Sequence, residues 1–342
     1  MTTTQSLKER WAAFNLENPK TRIRDAAKQL GVSEAELLAT QVGETVQRLE
    51  GDFRDLLKDV TSLGHVMALT RNDNIVHERK GVYQKVSFND QTGLVLGPDI
   101  DLRLFMSHWH FGFAVDENGR KSLQFFDQDG AAVHKIYLTD QSDVAAYEQL
   151  VQKYLASEQN SPIVTVAYPE KAAATPDEDI NVPEFQAEWL AMEDTHQFFG
   201  LLRKYKLDRE QGLRFAPEGY AQLISTEQLT SLFETVAERE MPIMIFASSA
   251  GCIQIHTGPV KKLVTTGPWY NVLDPEFNMH LRLDQVHHIW VTRKPTKDGI
   301  VTGIDLFDKE GNNIALIFGK RKPGVPELQE WQDTVNELTN AA

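Results

Sequence analysis

Phe126-Asp127-Gln128-Asp129-Gly130 and Phe307-Asp308-Lys309-Glu310-Gly311 are one strand-to-strand turn written twice, 181 positions apart. Upstream the correspondence continues: Met67 answers Met244, Gly81 answers Gly258 and Pro98 answers Pro275, each pair 177 positions apart. The longer turn Arg293-Lys294-Pro295-Thr296-Lys297-Asp298-Gly299 absorbs the difference. Element patterns recur with the residues. Helical periodicity over 7 to about 57, with Ser33 capping the segment from Glu34, gives way at His65 to alternation. Strands are expected over 66–70, 75–79, 101–115, 123–126 and 133–138, then a helix over 143–156. The second pass has helical segments over 194 to about 239, strands over 243–247, 252–256, 277–292, 300–307 and 313–318, and a final helix from Pro326. Residues 159–183, rich in Ala, Pro, Asp and Glu, lack periodicity and read as a linker. The expected fold class is α+β by internal duplication: two similar halves, each a large antiparallel sheet flanked by helices. The first repeat is 1–160, the linker 161–183 and the second repeat 184–342.

Two halves also suit a chain of 342 residues, which exceeds the usual size of one core. A net charge of −14 argues against non-specific nucleic-acid binding and against an anionic membrane surface, since both need a basic footprint. A few local Arg and Lys still suffice for an anionic small ligand. Cys252 is the one cysteine, so thiolates alone build no disulfide, zinc knuckle or iron–sulfur site. Residues 1–14 lack an apolar h-region and no run of about 18 apolar residues occurs, so a cytoplasmic location without membrane insertion is the expectation.

Chemistry concentrates in Trp189-Leu190-Ala191-Met192-Glu193-Asp194-Thr195-His196-Gln197-Phe198-Phe199-Gly200-Leu201-Leu202-Arg203-Lys204-Tyr205. Asp194 with Gln197 three residues on reads as an N-cap and its capping-box partner, which puts His196 in the first helical turn. Helix spacing places Phe199, Gly200 and Arg203 on the face of His196, and Phe198, Leu201, Leu202 and Tyr205 toward a core. A helix N-terminus disfavours imidazolium, so this imidazole is expected to be neutral, the form that ligates a metal or haem iron. A capped helix whose histidine merely packs fits the same residues. Aligned through Leu37 and Leu223, the first-half counterpart of His196 falls near Arg10, which cannot ligate a metal.

Along Asp101-Leu102-Arg103-Leu104-Phe105-Met106-Ser107-His108-Trp109-His110-Phe111-Gly112-Phe113, alternation puts Arg103, Phe105, Trp109, Phe111 and Phe113 on one face. Leu102, Leu104, Met106, His108 and His110 take the other. With both faces partly apolar, Arg103 needs a buried partner, a ligand or a solvent-filled cleft. His108 with His110 suggests a metal site, but no carboxylate lies in register with them, and His287 and His288 point to opposite strand faces. Neither HExxH, a Gly-x-Gly-x-x-Gly after a strand, a Walker loop nor a Gly-x-Ser-x-Gly elbow occurs.

The segment from Met192 to Arg203 with Leu213-Arg214-Phe215-Ala216-Pro217 resembles the HemS/ChuS/HmuS family of bacterial haem-utilisation proteins. So do the strand from Asp101 to Trp109, Gly267-Pro268-Trp269-Tyr270-Asn271 and Trp290-Val291-Thr292-Arg293-Lys294-Pro295-Thr296. The resemblance covers nearly the whole chain in order. It implies haem held at the second half, with His196 as axial ligand to the iron and Arg103 reaching over the opposite haem face from the first half. Phe105 and Phe246 match aromatic residues on the macrocycle; Arg209, Lys294 and Arg321 match basic residues near the propionates and pocket rim. Leu316 and Phe318 stand where a glutamine and a tyrosine are expected, giving a drier wall with two fewer hydrogen-bonding groups. The implied function is a cytoplasmic protein that accepts imported haem and oxidatively opens the porphyrin ring to release iron, with His196 and Arg103 as the catalytic pair. A haem importer and an electron donor are the implied partners. A non-catalytic haem carrier or storage protein would bind in the same way.

Overall fold

The duplicated turn closes identically in both halves. Asp127 Oδ1 accepts the amides of Asp129 (3.2 Å) and Ala131 (3.1 Å), and Asp308 Oδ1 accepts those of Glu310 (3.0 Å) and Asn312 (2.8 Å). Gly130 and Gly311 lie at φ 81° and 77°, a left-handed conformation that glycine adopts without a Cβ penalty. A β-bulge precedes each turn, at Phe125/Phe126 and at Leu306/Phe307.

The computed structural model describes residues 5–322 and 324–340. The chain forms two compact units. The first runs to Glu170 and includes Ser249–Gln254 but not Asn72–His77; the second begins at Lys171 and includes Asn72–His77. In the first unit an antiparallel run is ordered Val46–Leu49, Phe111–Glu117, Arg120–Phe126, Ala132–Ser142, Gly64–Arg71. The second unit repeats that order with Ala221–Ile224, His288–Thr296, Gly299–Phe307, Asn313–Gly319, Ile243–Ser248. A three-stranded run accompanies each: Ser87–Phe88, Thr92–Leu96, Asp101–Phe105 in the first, and Leu263–Thr266, Trp269–Leu273, Phe277–Arg282 in the second. The α+β duplication expected from the sequence is the fold observed.

Helices lie where alternation leaves an apolar face to cover. In the second unit Ile243, Ile245, Ala247, Ile289, Val291, Ile304, Ala315 and Ile317 form one sheet face, packed with Phe233 and Val236 of helix Thr226–Glu238 and Trp331 and Val335 of helix Gln329–Asn340. Among the described residues no helix is long and apolar enough to cross a membrane.

Two short strands correct the helical reading of each N-terminal segment. Four helices do form before residue 60, among them Glu34–Ala39 with the Ser33 capping box. Val46–Leu49 is a strand, however, as is Ala221–Ile224 in the second unit. Val46 and Leu49 are an i, i+3 apolar pair that suits a helix period, and pairing along the neighbouring strand overrides it. Matching elements in order therefore moves the counterpart of His196. Helix Gln197–Tyr205 answers Ile23–Leu30, so the residue ahead of each helix is His196 in one half and Arg22, not Arg10, in the other. Arg22 is equally unable to ligate a metal.

The Pro- and Ala-rich stretch is pinned rather than loose. The Val166 amide donates to the Gln128 carbonyl (2.7 Å) within the first unit, and the Thr175 amide to the Lys206 carbonyl (3.0 Å) within the second.

Candidate functional site

His196 stands at the N-cap position of helix Gln197–Tyr205, one residue ahead of the first turn in which the spacing placed it. The chain turns at Asp194, whose Oδ1 accepts the His196 amide (2.7 Å) and also lies 2.6 Å from ring Nδ1. Gln197 reaches back as expected, its Oε1 accepting the amides of Glu193 (2.7 Å) and Asp194 (3.3 Å). The other half of the capping box is missing, because the Asp194 carboxylate is taken up by the residue at i+2. The Gln197 amide donates instead to the Asp194 carbonyl (3.1 Å), and the helix starts late. Accepting the His196 amide is the largest influence holding the Asp194 carboxyl below its ordinary range; burial opposes it, while the imidazole and Arg321 add to it.

With Nδ1–H given to a carboxylate, the ring lone pair is on Nε2. The His196 side chain is 89% exposed, and among the described residues Nε2 makes no hydrogen bond. Phe198, Leu201 and Leu202 are buried with Phe185, Trp189 and Leu213, while Phe199 stays 53% exposed, as the helical spacing requires.

Cross-strand register gathers the other second-half candidates on the sheet face opposite the main core. Phe246 is paired with Leu316 and Met244 with Phe318, and all four are half-buried. Phe246 and Phe318 meet edge to face at 5.5 Å. Phe318 lies flat because its cross-strand partner is Gly303, where a Cβ would come within 2.5 Å of the ring. Leu316 and Phe318 thus share a face as alternation predicted, beside Phe246.

Arg209 and Lys294 converge on the buried Asp305 from that same side. Arg209 Nε donates to Asp305 Oδ2 (2.8 Å), and its guanidinium is 5.4 Å from the rings of Phe198 and Phe199. Lys294 Nζ donates to Thr292 Oγ1 (2.9 Å) and lies 4.8 Å from the Phe198 ring. Burial brings the Lys294 ammonium down to about 8, against the pull of Asp305. Arg321 is half-buried just past the strand Asn313–Gly319, its Nε without a hydrogen bond among the described residues and its charge acting on both Asp194 and Glu327. The residues present fit a haem: an imidazole with a bare Nε2, a half-buried strip of Met244, Phe246, Leu316 and Phe318, and a guanidinium with spare donors for a carboxylate.

Lys294 carries a testable consequence. Its charged form is penalised in the folded state below about 8, and the penalty fades as pH rises toward its ordinary 10.5. Lys294→Met is expected to gain about 1–2 kcal/mol in urea denaturation at pH 7, since Asp305 keeps Arg209, and the gain should shrink between pH 8 and 10.5.

The first unit holds Arg103 and Phe105 on the strand Asp101–Phe105, with Leu102 and Leu104 buried and Arg103 and Phe105 half-exposed. Arg103 pairs with the Asp101 carboxylate on its own strand. The strand does not continue to Phe113. A 3₁₀ turn over Met106–His108 breaks it, and a new strand starts at Phe111, so the facing predicted beyond Phe105 fails. Trp109 forces the break, its Nε1 donating to the Gly251 carbonyl (3.0 Å) from a buried position. His108 instead meets the Tyr168 hydroxyl (2.8 Å) and His110 the Ser107 carbonyl (2.9 Å). His288 begins its strand and pairs with Glu210 at 2.6 Å, and no group of three His, Cys, Asp or Glu suited to a metal occurs among the described residues.

Sequence reasoning missed Asp194 as the partner of the imidazole and Asp305 as the shared counter-ion. A carboxylate inside the otherwise apolar run Gly303-Ile304-Asp305-Leu306-Phe307 was the available signal for the second.

These features define a class: a duplicated α+β protein whose second half carries an exposed imidazole held by a carboxylate two residues before it, together with a half-buried apolar strip on its sheet. The sequence profile described as the haemin-degrading HemS.ChuX domain matches residues 31–154 and again 206–338, and the chain belongs to that family. It is 38% identical over 345 residues to the hemin transport protein HemS of Yersinia enterocolitica, covering 98% of each chain. Apo-PhuS, a heme-binding protein from Pseudomonas aeruginosa, has a TM-score of 0.94 at 45% identity, over 97% of this chain and 98% of that one. ChuS, a heme degrading enzyme of Escherichia coli O157:H7, has a TM-score of 0.90 at 34% identity, over 97% and 98% respectively. The family read from the Asp-Thr-His-Gln-Phe-Phe segment and the duplicated fold is the family found.

Proposed function

We propose that this chain binds haem through His196 Nε2 in the cytoplasm, receives it from a haem importer, and opens the porphyrin ring oxidatively with electrons from a separate donor. One observation carries the binding half: the exposed imidazole has its Nδ1 occupied by Asp194 and its Nε2 free for coordination. Membership of a family that includes a heme-binding protein and a heme degrading enzyme supports both halves. Bound haem supplies the iron that activates an oxidant and the meso carbon that is oxidised. His196 fixes the iron, and residues 184–342 provide most of the pocket. Phe246 packs against the macrocycle, and Arg209, Lys294 and Arg321 balance the propionates. Arg103 and Phe105, assigned from the family resemblance, act as the distal hydrogen-bond donor and a further aromatic wall.

Leu316 and Phe318 favour a second reading, a haem carrier or store without turnover. They supply no donors where the family pattern has a glutamine and a tyrosine, so a distal or propionate water network loses two anchors. The haem complex treated with ascorbate or peroxide is expected to lose its Soret band in a single turnover and yield a ring-opened tetrapyrrole by mass spectrometry. Intact haem after either treatment removes the enzymatic half and leaves the carrier.

A further inference from the structure

We infer that Asp194 is a positioning residue that sets the tautomer and donor strength of the iron-ligating imidazole, biasing the bound iron toward the ferric state. The inference rests on the haem reading above and goes beyond it.

The turn holds the carboxylate in place independently of the ring. Gln197 accepts the Asp194 amide (3.3 Å) and donates its own amide to the Asp194 carbonyl (3.1 Å), while the Asp194 Oδ1 takes the His196 amide (2.7 Å). The Nδ1···Oδ1 separation of 2.6 Å is then a short bond to an ionised acceptor. A backbone carbonyl behind the ring would fix the same tautomer but carry no net charge. A carboxylate draws the Nδ1 proton toward itself and makes Nε2 the stronger electron donor, which stabilises the higher oxidation state of a ligated metal. Arg321 opposes this, because its charge also acts on the Asp194 carboxylate. Lys297 is instead paired with the neighbouring Glu193 (3.0 Å). The spacing Asp194-Thr195-His196 is what permits the bond, because an i, i+2 carboxylate in a turn reaches both the amide and the ring of the same residue.

Asp194→Asn keeps an oxygen for the same two donors and removes the charge. In the full chain loaded with haem, this variant is expected to lower the iron–histidine stretching frequency in resonance Raman spectra of the ferrous form. Its preference for ferric over ferrous haem should fall about tenfold, a rise of about 59 mV in midpoint potential. Asp194→Ala, which removes the acceptor, should also lose about 10–100-fold in haem affinity. Asp194→Glu should return the stretching frequency and potential toward the unsubstituted protein, which a purely helix-starting role would not produce. Unaltered frequency and potential in Asp194→Asn, with His196→Ala having lost the histidine-ligated spectrum, would overturn the inference while leaving the haem reading intact. An unaltered spectrum in His196→Ala would overturn the haem reading and this inference together.

Discussion

Replacing His196 by alanine is expected to abolish the histidine-ligated Soret spectrum and to weaken haem binding by more than the roughly 100-fold that loss of a supporting partner can cost. The cations among the described site residues cannot take over. Lys294 donates to Thr292 Oγ1 and Arg209 to Asp305, and a guanidinium has no lone pair to offer. The substitution should leave the fold untouched, which makes the result interpretable. The His196 side chain is 89% exposed and makes no capping bond, and its φ of −68° and ψ of −22° suit alanine. Stability should therefore move by no more than about 0.5 kcal/mol. Haem titration with transfer to apomyoglobin gives the affinity, and a thermal melt gives the control. Free imidazole should restore part of the spectrum by filling the vacated position. An unchanged titration would place the ligand on another residue.

The fold was legible because duplication lets each half read the other. A single Phe-Asp turn is weak evidence, but two with matching residues upstream establish the duplication and the succession of strands in each half, while which strand lies beside which comes from pairing across the sheet. The elements that were missed are those decided by pairing across the sheet. Val46–Leu49 and Ala221–Ile224 are four residues long, too short for period two to outvote an i, i+3 apolar pair. The break after Phe105 was invisible for a related reason: Trp109 turns inward to reach a carbonyl 142 residues away, and nothing local announces that partner.

The candidate site divides along the same line. His196 could be singled out because helix periodicity separates it from Phe198, Leu201 and Leu202, and that separation holds. Asp194 was read as a cap because aspartate before a helix usually is one. Whether its carboxylate meets the amide at i+3 or the ring at i+2 depends on side-chain rotamers that no residue pattern encodes. Asp305 shows the converse. Its burial is readable from the apolar run around it, but its partners Arg209 and Lys294 come from elements 96 and 11 positions away. Register across the sheet, rather than composition, brings them together.

Glu34→Gln is expected to cost about 3–5 kcal/mol, the largest stability effect we foresee for a single polar substitution in the first unit. Glu34 opens the helix Glu34–Ala39 from a buried position, with Lys135 Nζ on Oε1 at 2.6 Å and Arg71 on Oε2. Lys135 and Arg71 lie on the adjacent strands Ala132–Ser142 and Gly64–Arg71, with side chains 7% and 14% exposed. Burial alone would raise the Glu34 carboxyl, but Lys135 and then Arg71 outweigh it and hold the group at about 2, down from its ordinary 4.5. A carboxyl depressed in the folded state stabilises fully above 4.5, and that stability is lost as pH falls toward about 2. The amide removes the charge at every pH and leaves two cations with no anion between them, so the penalty exceeds the loss of one hydrogen bond. Urea denaturation at pH 7 should show the full deficit, and a thermal melt should show a fall of roughly 10 °C. Between pH 4.5 and 2 the two proteins should converge, because acid neutralises the same carboxyl in the unsubstituted chain. Replacing all three side chains by apolar residues of similar volume should recover most of the loss, since what destabilises the single variant is the unpaired charge rather than the missing bridge. A deficit at pH 7 below about 1 kcal/mol would show that Lys135 and Arg71 find other partners or water once Glu34 is neutral.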